Sequence, residues 1–403
     1  MTNRNGPTDI MTDRHGHDGD AVATRLAHGG RDPRKQYGFV NPPVYHGSTV
    51  TFPDVDTMLN RRQPYLYGRR GTPTTDALAD ILAELDGAAG VVLVPSGLAA
   101  ISTALLSVLS AGDHLLVTDS AYQPGRHFCD SVLKRLGVET TYYDPSVGAG
   151  IEALLRPNTR AILLEAPGSQ TFEMQDVPAI TGVARRHGVR TVMDNTWATP
   201  LFFRPLDHGV DIALMAGTKY VVGHSDVLIG TIAANAEAWP ALHHTHGDLG
   251  LCVGPDDVAL TLRGLRTMKV RLDRHQESAL TVASWLEHRP EVARVLHPAL
   301  PSDPGHAIWK RDFRGASGLF AFVTKPCRFE AVEAMLDGLR LFGLGYSWGG
   351  FESLAIVADP RPYRTATRWD EPGHLIRLNI GLEDPADLIA DLEAGLARLA
   401  AAA

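Results

Sequence analysis

Between Thr74 and about Pro255, short apolar segments take turns with segments of helical period, and this alternation constrains the chain more than any other feature. The apolar segments fall at 91–94, 114–118, 161–164, 189–193, 212–215 and 229–233. Helical patterns separate them: Phe128, Val132, Leu133 and Leu136 closed by Gly137, then Val177, Ile180 and Val183 closed near Gly188. Ahead of the first strand, Leu78, Ile81, Leu82 and Leu85 form one apolar helix face. Short apolar strands joined through helices imply βαβ units, an α/β class and a mainly parallel central sheet.

After Pro255 the alternation yields to a long helical stretch through about Glu287. Strands are expected around 319–323 and 375–380, followed by a closing helix whose face is Leu388, Leu392, Leu396 and Leu399. This pattern predicts a smaller α+β domain, and 403 residues suffice for two packed domains. Residues 1–22 are polar and predict a disordered tail, with Met11 as an alternative start. Residues 23–66, punctuated by Pro and Gly, predict an extended arm that packs on a neighbouring subunit or runs over the surface. The division expected is therefore 1–22, 23–66, a large domain over 67–262 and a small one over 263–403.

The formal charge of −8 and the lack of a basic stripe argue against a nucleic-acid partner. No apolar run approaches 18 residues, and the first twenty residues lack an apolar signal core, so no membrane association is expected. Three cysteines, Cys129, Cys252 and Cys327, show neither metal-ligand spacing nor a disulfide framework. A reducing, cytoplasmic setting is the expectation, with no metal.

The chemistry gathers at strand ends. Asp194, in VMDNTWATP, and Lys219, in LMAGTKYVVGHSD, each follow a predicted buried strand at its C-terminal end, where open α/β sheets bind ligands. A lysine amine there can form a Schiff base with an aldehyde cofactor. A carboxylate there can keep a pyridine nitrogen protonated: opposite charges ~4 Å apart at an effective dielectric of ~20 attract by ~4 kcal/mol, about three pKa units. Pro95-Ser96-Gly97 ends a strand and opens a helix, so its backbone N–H groups offer a phosphate seat or simply make a strand-to-helix turn. Tyr122 follows the next strand, as a stacking or a packing aromatic. Tyr67 and Arg69 lie in the Gly-rich turn YLYGRRGTPT, where Arg can fork a phosphate or remain solvated. Arg377, inside the strand-like LIRLNIGLED, needs a partner if buried: a substrate carboxylate or an internal acid. Singly these residues read as surface or packing, whereas their combination and order favour a cofactor site.

The segments YGRRGTPT, PSGLAA, DNTWATP, TKYVVGHSD, SWGGFESL and IRLNIGLED together resemble the transsulfuration-type, pyridoxal-phosphate-dependent enzymes of cysteine and methionine metabolism. The resemblance runs from Thr24 to Leu399 and implies a fold-type-I subunit that binds pyridoxal 5'-phosphate in its large domain. It implies that Lys219 carries the cofactor, that Asp194 meets the ring nitrogen and that Tyr122 stacks on the ring. Gly97 and Leu98 would bind the phosphate through backbone N–H groups, with Thr218 as a side-chain donor. Tyr67 and Arg69 would reach the phosphate of an adjacent subunit, making the enzyme at least a dimer and by family pattern a homotetramer. Arg377 would clamp the substrate carboxylate beside Tyr346, Ser347 and Trp348. Lys219, Tyr122 and Tyr67 are the expected catalytic groups. One departure is Ala216, where many relatives place a serine that bonds the phosphate.

Within the family, YGRRGT and YSWGG resemble the branch that acts at the β-carbon; relatives acting at the γ-carbon more often read YSRxGNPT and carry a glutamate at the position of Tyr346. The expected reaction is carbon–sulfur β-elimination converting L-cystathionine and water to L-homocysteine, pyruvate and ammonia, a step of methionine biosynthesis. The alternatives are a γ-lyase or γ-synthase on the same scaffold, or a regulatory protein that keeps the fold without catalysis.

Overall fold

The structure is a computed structural model that describes residues 19–402. The expected polar tail lies outside the described residues as far as position 18, as does Met11. The first sheet contains β1 (Gly90–Val94), β2 (His114–Thr118), β3 (Glu139–Tyr143), β4 (Thr159–Glu165), β5 (Arg190–Asp194), β6 (Ile212–Ala216) and β7 (Gly230–Ala234). Their order is β1-β7-β6-β5-β4-β2-β3. β7 runs antiparallel to both of its neighbours and the other pairs are parallel. The inner strands are largely apolar because both sheet faces are covered. Leu78, Ile81, Ile180 and Val183 pack with one core cluster, and Ile101, Leu105 and Leu133 with the other.

Local sequence sets the helix that enters this sheet. Over Pro73–Asp86, Thr72 and Thr75 form a reciprocal capping box, Pro73 occupies the first turn and Gly87 closes the end at φ +67°. The strand β3 (ETTYY) escapes sequence patterning because it is the sheet edge, and only Tyr143 of its five residues is fully buried. Residues 23–66 are not wholly extended, since they include parts of the helices Val22–His28 and Val55–Leu59. The first is anchored by buried Leu26 and by Arg266, which donates to the carbonyls of Leu26 (2.7 Å) and Gly29 (2.5 Å).

The second sheet holds β8 (Val292–Leu296), β9 (Leu319–Thr324), β10 (Gly343–Leu344), β11 (Leu354–Ala358) and β12 (Leu375–Asn379), ordered β10-β11-β12-β9-β8. The expected long helix is two, Pro255–Arg266 and Met268–Leu286, broken at Thr267 (φ −105°, ψ 5°). The closing helix Pro385–Ala402 buries Leu388, Leu392, Leu396 and Leu399 against a core that includes Phe320 and Phe322. This architecture brings the C-terminal ends of β4, β5 and β6 to one rim; just past β6, Lys219 bonds Ser347 in the loop after β10, and Arg377 of β12 bonds the same Ser347.

Candidate active site

Asp194 closes β5 and pairs in register across the sheet with Leu214 of β6 and, on the other side, with Glu165 at the end of β4. Its Oδ1 accepts the backbone N–H of Thr196 at 2.9 Å and also the Thr196 hydroxyl. The Thr196 oxygen in turn accepts the Ala216 N–H at 2.9 Å, tying the carboxylate to the end of β6. Burial pushes the Asp194 carboxyl above its ordinary range, while the Thr196 bonds and the Lys219 charge pull the other way. An opposite charge placed against it would thus be held firmly.

Lys219 sits three residues beyond β6, in a turn whose geometry is fixed by the Thr218 hydroxyl. That hydroxyl donates to the Ile229 carbonyl (3.2 Å) and accepts the Ile229 N–H (3.0 Å). The family resemblance implies that this hydroxyl is a phosphate donor, and here it also braces the turn that carries Lys219. Lys219 Nζ donates to Ser347 Oγ at 2.5 Å and lies 5.4 Å from the centre of the Trp348 ring. Burial, then the Arg377 charge, lower its pKa to about 8, with Asp194 opposing. A lysine amine so depressed is neutral in part near physiological pH and able to act as nucleophile or base.

The loop carrying Ser347 and Trp348 folds back onto this lysine through backbone conformations that few residues adopt. Ser347 has φ +87° and Gly349 φ +82°, and a Cβ on Gly349 would stand 3.1 Å from Lys219 Cβ. Trp348 rests on Tyr220, ring centres 5.4 Å apart, and Asn379 accepts the Gly349 N–H at 3.0 Å. Arg377, on β12, donates to the Ser347 carbonyl at 3.1 Å. Burial lowers its pKa to about 10, and Tyr122, Tyr346 and Tyr363 are the groups that oppose this. Among the described residues no carboxylate ion-pairs with it, so its charge is available to an anionic ligand. Tyr346 itself is 89% exposed.

Gly97 and Leu98 open the helix Gly97–Leu106, and their N–H groups have no acceptor within the helix; Ser96 caps Ala99 at 3.1 Å. Gly97 approaches Ala216 so closely that a Cβ would lie 2.5 Å from the Ala216 side chain. The helix N-terminus and the Lys219 turn are thus contiguous, and the small side chain at 216 makes room for the contact. Tyr122 is half-exposed, and its backbone N–H donates to Glu165 Oε2 at 2.7 Å. Burial, then Asp194 and Glu165, raise the Tyr122 phenol, while Arg377 lowers it. Burial and then Asp194 raise Glu165 well above the usual carboxylate range.

One chain therefore gathers Lys219, Asp194, Tyr122, Ser347, Trp348 and Arg377 at the rim, with Gly97 and Leu98 alongside. It does not bring Tyr67 and Arg69 to them. Arg69 donates to the Gly247 carbonyl at 3.1 Å and lies 5.9 Å from the Tyr67 ring, and Tyr67 is 47% exposed. Glu165 and Thr196 were missed by sequence reasoning; Glu165 was detectable as a second carboxylate at the end of a buried strand. Among the described residues no cluster of metal-ligating side chains occurs, and no helix is long and apolar enough to cross a membrane.

A fold-type-I α/β subunit with a lysine, a buried carboxylate and a helix N-terminus on one rim defines the pyridoxal-phosphate-dependent class. The chain belongs to the Cys/Met metabolism PLP-dependent enzyme family, whose pattern matches residues 23–397. It is 59% identical over 384 residues, 94% of this chain and 97% of that protein, to a Rhizobium johnstonii protein provisionally named a cystathionine beta-lyase. It is 46% identical over 387 residues, 93% of this chain and 98% of that protein, to the cystathionine beta-lyase of Escherichia coli. Its structure is similar to cystathionine gamma synthase from Xanthomonas oryzae pv. oryzae, with a TM-score of 0.88 at 35% identity over 95% of this chain and 99% of that one.

Proposed function

We propose that this enzyme cleaves the Cβ–S bond of L-cystathionine, releasing L-homocysteine, pyruvate and ammonia. The observation that carries the proposal is the grouping of Lys219, Asp194 and a carboxylate-free Arg377 around Ser347 and Trp348. The cystathionine beta-lyases named above supply the substrate. Lys219 would bond pyridoxal 5'-phosphate, Asp194 would meet its ring nitrogen, Tyr122 its ring face, and the Gly97 and Leu98 N–H groups its phosphate. When bound, the cofactor supplies an electron sink for negative charge developing at the substrate Cα.

The chain's own groups do the rest. Arg377 holds the substrate carboxylate, which orients the Cα proton toward the Lys219 amine. Burial keeps that amine partly neutral, so Lys219 Nζ can take the proton. Ser347 Oγ, within 2.5 Å of Nζ, fixes the amine's direction, and Trp348 shields it from solvent on one side. The protonated Lys219 then stands ready to give its proton to the departing thiolate.

A γ-acting enzyme is the second reading, favoured by the structural likeness to a cystathionine gamma synthase. Mass-spectrometric identification of the products from L-cystathionine separates the two. Pyruvate with homocysteine is expected, and 2-oxobutyrate with cysteine would overturn the β reading. We further infer a homo-oligomer, at least a dimer, in which Tyr67 and Arg69 serve a neighbour's phosphate. Their partners support this, since Arg69 meets the Gly247 carbonyl and the Tyr67 ring rather than any rim residue. So does the exposed apolar surface of the preceding segment: Tyr37 97%, Phe39 73%, Val40 62% and Leu59 70% accessible. A homotetramer and a cytoplasmic setting complete the proposal; for the latter, the support is that all three cysteines are unpaired thiols.

A further inference from the structure

Residues 359–373, which link β11 to β12, leave the second sheet and lie across the loop after β2. Asp119, one residue past β2 and wholly buried, receives them. Its Oδ1 accepts the Thr365 N–H at 3.0 Å; its Oδ2 accepts the Ala366 N–H (3.1 Å), the Thr367 N–H (2.8 Å) and the Thr367 hydroxyl (2.7 Å). Arg126, 3% exposed, ion-pairs with Asp119 at 3.0 Å, and its other amino group donates to the Tyr363 carbonyl. Arg364 pairs with Glu173 at 2.9 Å. Burial raises the Asp119 carboxyl, and the donors from Thr365, Thr367 and Ala366 more than offset it. A buried ion pair satisfied this fully orders the segment that it grips.

The gripped segment carries Tyr363. Its hydroxyl donates to Gln170 Oε1 at 2.8 Å, and Gln170 holds a left-handed backbone, φ +67°. Tyr363 is thereby held on the loop that follows Glu165 of β4, within electrostatic reach of Arg377. We propose that Asp119 is a positioning residue for substrate binding. With Arg126 it clamps residues 359–373 so that Tyr363 screens Arg377 from water, strengthening the hold of Arg377 on a substrate carboxylate. The physical reason is that opposite charges attract more strongly as water is excluded. The proposal rests on the reading of Arg377 as the carboxylate-binding group.

The test uses the cofactor-loaded enzyme and glycine, which carries only the amine and the carboxylate to be read. Half-saturation is followed by the visible absorbance of the cofactor at several KCl concentrations, together with hydrogen exchange of the 365–367 amides. Asp119→Asn is expected to raise half-saturation about tenfold, steepen its salt dependence and speed exchange of the three amides. Tyr363→Ala, which leaves the clamp intact, is expected to weaken glycine binding and steepen its salt dependence with those amides still protected. Wild-type glycine binding in Asp119→Asn or in Tyr363→Ala, while Arg377→Lys binds weakly, would overturn the clamp alone. Unchanged binding in Arg377→Lys would remove the carboxylate reading and the proposal with it. Should Asp119→Asn fail to fold, the Tyr363→Ala result decides.

Discussion

The rim around Lys219 and the turn carrying Tyr67 and Arg69 differ in one instructive respect. At the rim the polar groups are partnered within the same chain: Asp194 with Thr196, Lys219 with Ser347, Arg377 with the Ser347 carbonyl, and the Tyr122 backbone N–H with Glu165. The turn is open to solvent, and Arg69 meets the Gly247 carbonyl and lies over the Tyr67 ring of the same turn. Both regions carry residue types suited to a phosphorylated pyridine, yet only the first is complete within one chain. On the proposed reading, proton transfer and substrate binding would lie within the subunit, and Tyr67 and Arg69 would add their phosphate grip only on assembly.

Substitutions can break or sharpen this contrast. The largest effect belongs to Lys219→Ala, expected to lower turnover by ~10³-fold or more because nucleophile and base disappear together; steady-state assays check it, and near-normal turnover would dissolve the distinction between rim and turn. Arg377→Ala should cost the charge-assisted grip, ~1.5–3 kcal/mol, or about 10–100-fold in kcat/KM. Arg69→Ala should raise the cofactor concentration needed for reconstitution about tenfold while the far-ultraviolet circular dichroism stays unchanged. Co-refolding Lys219→Ala with Arg69→Ala protein sharpens the point. Hybrid dimers would place both lesions in one site and restore about a quarter of the wild-type sites, whereas no recovery would assign Arg69 to its own chain's site.

The smallest effect is one of pH. The depressed Lys219 pKa of about 8 means that the neutral amine, the form that attacks an aldehyde, grows as pH rises through that value. Capture of pyridoxal 5'-phosphate by cofactor-free protein should therefore accelerate between about pH 7 and 9 and then level off. Continued acceleration toward pH 10.5 would show a lysine in an ordinary aqueous setting.

Much of the rim was legible because a buried parallel strand announces itself by an apolar run, and the residue that ends the run then falls at the sheet edge. Asp194 and Lys219 were found that way, and Tyr122 with them. The edge strand β3 was hidden by its Glu and Thr residues, and β8 by its two exposed positions. Glu165 lay at the end of a strand already anticipated, but its closeness to Asp194 depends on which strands pair. Asp119, Arg126 and Tyr363 were beyond reach for a related reason. The hydrogen bonds that tie Asp119 and Arg126 to Tyr363 and Thr365 span more than 200 positions, and a buried Asp–Arg pair has no periodic signature.

The most direct test of the account is to reduce the cofactor-loaded protein with borohydride, digest it and locate the pyridoxyl group by mass spectrometry. The account predicts a single modified residue, Lys219. A pyridoxyl group on any other lysine, with Lys219 unmodified, would contradict it.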